Sequence, residues 1–538
     1  MAHFTLTPPY YLALLLLVLT GCDSNEALYL SKQSIIYCSE GAPESFNPQT
    51  VTSGTTIDAT ANQLYNRLIE FDPADNSIIP GIAKSWHVTR DRKMVTFYLH
   101  KDIQFHQTSY FTPTRLLNAD DIVFSFNRML DESHQYHAVS GAKYPFFQNA
   151  QFAELIESIE KINDHTVRFR LSHSDSSFLA NMGSNSAVIL SKEYADQLVA
   201  RDAMADIDML PIGTGPFKFK QYSSGAFIRY EPHTDYWRGK PQLKQLVFDI
   251  SPRDTSRLIK LLAGECDIIA YPIAHEKIKQ HPNLILESVT SFNVGYFGFN
   301  TSKPPFNDPL VRKALSYAIN KQAILETVYT GQAEIANGLI PNSSWAYDSS
   351  ITSQEYSIAK AQKLLTEAGY SEGFTMDLWA MPVQRAYNPN AITMAKLIQA
   401  DLQKVGIKVE IVSDYEWSTF LRKVSEGEHQ SVLLGWSADH PDPDNFFSTL
   451  LSCGAIATGS NRTFWCNAKF DQLIQSALQT DNINIRKAYY LKALKLINDE
   501  VPLIPIAHSK RYQARAKNIN GKLLRSIGGI DFNGVTKN

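Results

Sequence analysis

The stretch AITMAKLIQADLQKVGIKVEIV, residues 391–412, decides the fold class. Residues 391–405 are amphipathic and predict a helix, and residues 406–412 (GIKVEIV) predict a strand directly after it. The same two signals mix along the whole chain. Residues 34–38 (SIIYC) predict a buried strand, followed by a turn-rich segment through Pro43 and Pro48. Residues 95–100 (VTFYLH) and 167–171 (VRFRL) are β-prone, the second with the period of two expected of a half-buried strand. Asn118-Ala119-Asp120-Asp121 ahead of Ile122, Val123 and Phe124 predicts a capped helix start. Amphipathic helices are also predicted over 308–318, 357–368 and 485–498. Strands alternating with helices of this length specify α/β sheets covered by helices. There is no internal repeat, no low-complexity stretch and no linker long enough to separate independent beads.

The N-terminus has a different character. Residues 10–19 are an apolar run of about ten residues, half of what a membrane-spanning helix needs. Leu19-Thr20-Gly21-Cys22 follows it as a lipobox. This predicts a lipoprotein signal peptide over residues 1–21, lipidation of Cys22, and a linker over 22–33. Residues 1–21 contain no Lys or Arg. Asp23 resembles the residue that keeps bacterial lipoproteins at the inner membrane. The expected location is the periplasm, with the chain anchored to the outer leaflet of that membrane by lipid alone.

A chain of 538 residues exceeds what one core can hold, so two or three domains are expected. Lys plus Arg number 51 against 54 Asp plus Glu, a balance that points away from nucleic acid and from anionic membrane surfaces. Besides Cys22 there are four cysteines, Cys38, Cys266, Cys453 and Cys466. An even number in an oxidising compartment predicts disulfides, and four allow three pairings. Neither a C-x₂-C pair nor a suitable His spacing supports zinc.

Two clusters could carry chemistry. In Gly435-Trp436-Ser437-Ala438-Asp439-His440-Pro441-Asp442-Pro443-Asp444-Asn445-Phe446, an apolar run (432–434) leads into a loop where Trp436 and Asp439 suit a small cation. The spacing of Asp442, Asp444 and Asn445 does not meet the requirements of an EF-hand, and a ligand-free turn is the plain alternative. In Met381-Pro382-Val383-Gln384-Arg385-Ala386-Tyr387-Asn388-Pro389-Asn390, Arg385 could present its fork to a carboxylate; the plain alternative is a solvated surface Arg. No G-x-S-x-G, H-E-x-x-H, P-loop or G-x-G-x-x-G occurs, and Gly213-Thr214-Gly215-Pro216 predicts a tight crossover rather than a phosphate cradle. A hydrolase reading would use Asp439, Asp442 and Asp444 as acids and bases, but no nucleophile–base pair or metal set accompanies them; the expectation is not an enzyme.

With these clusters in view, the chain resembles the extracytoplasmic solute-binding proteins of the peptide and nickel class, receptors of ABC importers. The likeness covers nearly all of residues 34–538. It rests on Tyr37-Cys38-Ser39-Glu40-Gly41, Phe46-Asn47-Pro48-Gln49, Thr52-Ser53-Gly54-Thr55-Thr56, Asn118 to Asp121, Pro211 to Phe217, Trp379 to Arg385, and Gly435 to Phe447. The pocket motifs resemble those of the dipeptide receptors of the class. Segments 111–115, 262–267 and 344–348 lean towards its SapA-type members, and its haem-binding lipoproteins are near relatives. Where the dipeptide receptors usually carry Gly-Asp-Asn-Gly, this chain has Ala438-Asp439-His440-Pro441, and it has Ala386 where they carry Pro.

The resemblance implies an α/β, two-lobed periplasmic binding protein fold of class II, with a hinge and an additional third lobe. It implies a first lobe of 34–65, 212–294 and 509–538, an extra lobe of 66–211, and a second ligand-binding lobe of 295–508. It further implies that Asp439 binds a ligand amine and Arg385 a ligand carboxylate. Trp436 and Tyr387 would line the pocket, and Thr52, Ser53, Gly54 and Thr55 would contact the ligand from the opposite lobe. The implied disulfides are Cys38–Cys266 and Cys453–Cys466. A monomer without cofactor or metal is expected, taking a dipeptide or short peptide and delivering it to an inner-membrane permease. A SapA-like antimicrobial-peptide receptor, or a haem receptor aided by His440, is the alternative. A dipeptide is a zwitterion at pH 7, and a closed cleft must meet each of its charges with an opposite one.

Overall fold

The computed structural model describes residues 33–141 and 143–538. The expected signal peptide and Cys22 therefore lie outside the described residues. One long strand, Leu503–Ala516, organises the rest. Its first half pairs antiparallel with Asn293–Phe299, from Gly298 opposite Leu503 to Gly295 opposite Ala507. Its second half pairs with Leu284–Thr290, Thr290 standing opposite Lys510 and Leu284 opposite Ala516, and with Ile268–Ala270. The strand thus belongs to two lobes and changes partners between Ser509 and Lys510. The chain crosses a second time at Ser291–Phe292. Asn293 already pairs with Ser437 of the second lobe, so the boundary falls before Asn293 rather than after Val294.

In the first lobe, Ser34–Ser39 is parallel to both Gln245–Ile250 and Ile268–Ala270. In the second lobe, Thr375–Ala380 is parallel to both Lys408–Val412 and Ser431–Ser437. Parallel strands need helical crossovers. The helix Ala391–Gln403 is one of them, with the strand Lys408–Val412 after it, as residues 391–412 predict. Other local expectations hold too. Asn118 and Asp121 form a reciprocal capping box at the helix Ala119–Leu130. Thr166–Leu171 buries Val167, Phe169 and Leu171 on one face and leaves Thr166, Arg168 and Arg170 half-buried on the other.

The extra lobe is built on a four-stranded antiparallel sheet, Ala83–Val88, Met94–Leu99, Thr166–Leu171 and Ile156–Asn163. Its core, with Phe97, Phe126 and Phe169, runs on into that of the first lobe, with Tyr37 and Phe248, whereas the second lobe has a separate core. The chain leaves and re-enters the first lobe at adjacent points. Gly213 and Gly215 lie so close to the backbone of Leu64 that a Cβ on either would come within 2.5 Å of it. Gly-Thr-Gly is therefore a close backbone crossing, as predicted.

Cys38 is bonded to Cys266 and Cys453 to Cys466, the pairing that the family resemblance implies. Among the described residues no helix is long and apolar enough to cross a membrane.

Candidate functional site

Three polar residues stand just past the carboxyl ends of parallel strands, where open α/β sheets hold ligands. Glu40 follows Ser34–Ser39, Arg385 lies in the loop after Thr375–Ala380, and Asp439 follows Ser431–Ser437. A cavity of about 400 Å³ lies between the lobes, within the range of small-ligand sites. Arg385, Tyr387, Trp436 and Asp439 line it from the second lobe, and Thr52, Ser53 and Gly54 from the first. Thr55 is a correction: it is buried inside the helix Gly54–Thr60, its methyl group against Gly41, and it does not line the cavity.

The loop carrying Arg385 and Tyr387 is held on a bare backbone floor. Gly295 and Gly435 are opposite each other on adjacent strands. A Cβ on Gly295 would fall 2.1 Å from the Tyr387 carbonyl oxygen, and one on Gly435 would fall 2.2 Å from the Tyr387 ring. The loop is then pinned. Arg385 and Asn388 exchange backbone hydrogen bonds, Tyr329 Oη donates to the Tyr387 carbonyl (2.6 Å), and Ser509 Oγ donates to that of Ala386 (2.5 Å).

Asn445, on the first turn of the helix Asp444–Leu451, orders the other loop. Its Oδ1 accepts from Trp436 Nε1 (2.8 Å) and from the backbone N–H of Asp439 (3.1 Å). Among the described residues no cation lies within ion-pair distance of the Asp439 carboxylate, and its sealed Oδ2 has no hydrogen-bond partner. Burial pushes its pKa up to about 7. An unpaired carboxylate in such a place lacks a cation. His440 and Asp442 turn away from the cavity. His440 is buried with its ring perpendicular to that of Phe146, and burial pushes its pKa down to about 4. Asp442 takes two hydrogen bonds from Arg486, and Asp444 accepts from Ser448. Asp442 and Asp444 are thus held by structural partners, and among the described residues no group of His, Cys, Asp and Glu side chains is gathered to hold a metal ion.

Three charged residues that sequence reasoning did not single out, Glu40, Asp58 and Arg511, complete the site. Arg385 Nη1 donates to Glu40 Oε1 across the lobes (3.2 Å). Burial alone would lower the proton affinity of this guanidinium; Glu40, with Tyr271, Tyr387 and Asp58 adding to it, outweighs burial and keeps Arg385 charged. Arg511 pairs with Asp58 (3.4 Å), and both line the cavity. Glu40 sits in the quoted Tyr37–Gly41 motif directly after a predicted strand, which was the available signal.

The profile of the bacterial extracellular solute-binding proteins, family 5 Middle, matches residues 77–458. The chain is 44% identical over 512 residues to the dipeptide-binding protein of Escherichia coli K12, covering 95% of this chain and 96% of that one. It is 40% identical over 520 residues to the peptide transport periplasmic protein SapA of Salmonella typhimurium LT2, covering 96% of this chain and 94% of the other. Among solved structures, the dipeptide binding protein from Pseudoalteromonas sp. SM9913 in complex with Met-Leu superposes with a TM-score of 0.92 at 46% identity, covering 94% of this chain and all of that one.

Proposed function

The chain belongs to family 5 of the bacterial extracellular solute-binding proteins, and on that premise we propose that it is the receptor of a peptide ABC importer that captures dipeptides. The observation that carries the ligand class is the separation of opposite charges in one cavity. At one wall stands Asp439, a carboxylate with no cation within ion-pair distance among the described residues. Where the lobes meet, Arg385 lines the same cavity as a buried guanidinium, with Glu40 and Asp58 near it and Arg511 on the same cavity. A zwitterion whose ammonium meets Asp439 and whose carboxylate meets Arg385 balances both ends. The distance between them then measures backbone length, and side chains occupy the remaining cavity.

The strand Leu503–Ala516 and the crossing at Ser291–Phe292 are the hinge about which the lobes close on the ligand, and an inner-membrane permease takes the peptide from the closed form. The receptor returns its ligand intact. The lipobox supports export and anchoring through Cys22 at the periplasmic face of the inner membrane. Titration calorimetry on a soluble form starting after Cys22, with Ala-Phe and its N-acetylated twin, tests the ligand class. Tight binding of the free dipeptide and loss with the acetylated one is expected; equal binding of both, or binding of neither, overturns it.

A further inference from the structure

Three arginines line the interlobe cavity, and two of them have a carboxylate of the protein beside them: Arg385 has Glu40, which leaves the rest of its fork for a ligand, and Arg511 has Asp58 and the Gly528 carbonyl. Arg462 is different. Among the described residues no carboxylate lies within ion-pair distance of it, and its sealed Nη1 makes no hydrogen bond. Its surroundings are polar but uncharged: the Tyr296 and Tyr387 hydroxyls, with Ser425, Thr458 and Ser460 on the same wall. Burial lowers its proton affinity, as expected of a cation without a counter-charge.

The position is built, not incidental. Arg462 lies in the loop closed by Cys453–Cys466, and both neighbours are tied down. Asn461 Nδ2 donates to the carbonyls of Ser452 and Trp465, and Asn461 Oδ1 accepts from Thr463. The Arg462 carbonyl accepts from His429 Nε2 (2.8 Å). A guanidinium held rigidly against a closed cavity, with no protein anion to meet it, is complementary to an anion on the ligand. The termini of a bound dipeptide already have Asp439 and Arg385. The anion left for Arg462 is therefore a side-chain carboxylate.

Resting on the dipeptide reading above, we propose that Arg462 forms a side-chain subsite for a carboxylate, making the receptor selective for peptides that contain Asp or Glu. Titration calorimetry with two isosteric pairs, Ala-Glu against Ala-Gln and Glu-Ala against Gln-Ala, tests it without any variant. At least one acidic peptide should bind about tenfold tighter than its amide twin, the effect of one charge-assisted, water-poor contact. In Arg462→Gln that gap should close, with a thermal unfolding curve like that of wild type reporting that the variant is folded. Gaps under twofold in both pairs, or a gap that survives in Arg462→Gln, overturn the subsite and leave the dipeptide reading standing. Failure of all four peptides to bind overturns both.

Discussion

Arg385 of the second lobe and Glu40 of the first form an ion pair across the cleft at 3.2 Å, with side chains only 7% and 4% exposed. Beside it, Arg257 Nη2 of the first lobe donates to Gln384 Oε1 of the second (3.1 Å). Glu40 thus holds Arg385 charged and aimed while the lobes are together. Replacing Glu40 by Gln leaves a buried guanidinium uncompensated in the closed, ligand-free form. A change of that kind costs roughly 3–5 kcal/mol, enough to favour opening. Small-angle scattering should give a larger radius of gyration for ligand-free Glu40→Gln than for wild type, and excess dipeptide should restore compactness because its carboxylate replaces the lost charge. Identical ligand-free radii would mean that the pair does not govern closure.

Asp439 makes binding pH-dependent. In the free protein burial raises its pKa to about 7, so below that pH the group carries a proton. A ligand ammonium favours the charged form, and the proton must leave on binding. Affinity should therefore fall towards tenfold per unit well below pH 7, be greatest at about pH 7.5, and fall again above about pH 8 as the ligand ammonium loses its proton. Calorimetric enthalpies measured near pH 6 in buffers of different ionisation heat should reveal the released proton. Asp439→Asn should abolish the acid-side fall and weaken binding by about thirty- to several-thousand-fold. A parallel pH profile in the variant would assign the proton to another group.

The α/β class and most helices were legible because apolar periodicity and caps are local: Asn118 with Asp121, or Ser357 before Ile358–Glu367, need no distant partner. The second-lobe side of the candidate cavity was legible too, since Arg385, Tyr387 and Asp439 lie in loops after predicted strands and Trp436 near the end of one. What escaped depends on long-range pairing. Glu40 meets Arg385 only after the whole chain has folded, and Arg462 is remarkable only for a partner it lacks. Thr55 was misplaced for a local reason: Ser53 starts a helix, which turns Thr55 inward while Thr52 to Gly54 stay at the cavity.

The two disulfides should separate stability from binding. Cys38–Cys266 spans 228 residues and Cys453–Cys466 spans 13. On the chain-entropy argument their removal costs about 5 and about 3 kcal/mol respectively. Only the shorter one shapes the cavity: its loop carries Thr458, Ser460 and Arg462, and Asn149 of the extra lobe donates to Ser460 Oγ (2.6 Å). Urea unfolding should rank the double Cys→Ser variant at 38 and 266 below the one at 453 and 466, while dipeptide affinity falls only in the latter. Loss of affinity in both would show that the first-lobe bond also sets the site.

Asp444 should make the native state less stable as pH rises. Its carboxyl is buried, accepts from Ser448 Oγ (2.6 Å), and has Asp442 and Asp175 as like-charged neighbours, with Arg486 as the opposing charge. Burial above all raises its pKa to about 8. An unfolded Asp releases its proton near pH 4, so between about pH 4 and pH 8 the native state holds one proton more. Stability therefore declines across that window by up to roughly 1.4 kcal/mol per pH unit, and recovers on acidification. Asp444→Asn keeps the shape and an acceptor for Ser448 but carries no proton to lose. The variant should equal wild type near pH 4 and exceed it near pH 8, with a flatter profile of urea midpoint against pH. Because Asp175 belongs to the extra lobe, the charge that appears at high pH also repels that lobe from the second one. Above about pH 8, where the ligand ammonium also loses its proton, dipeptide affinity should consequently fall more steeply in wild type than in Asp444→Asn; parallel profiles would place the titrating group elsewhere.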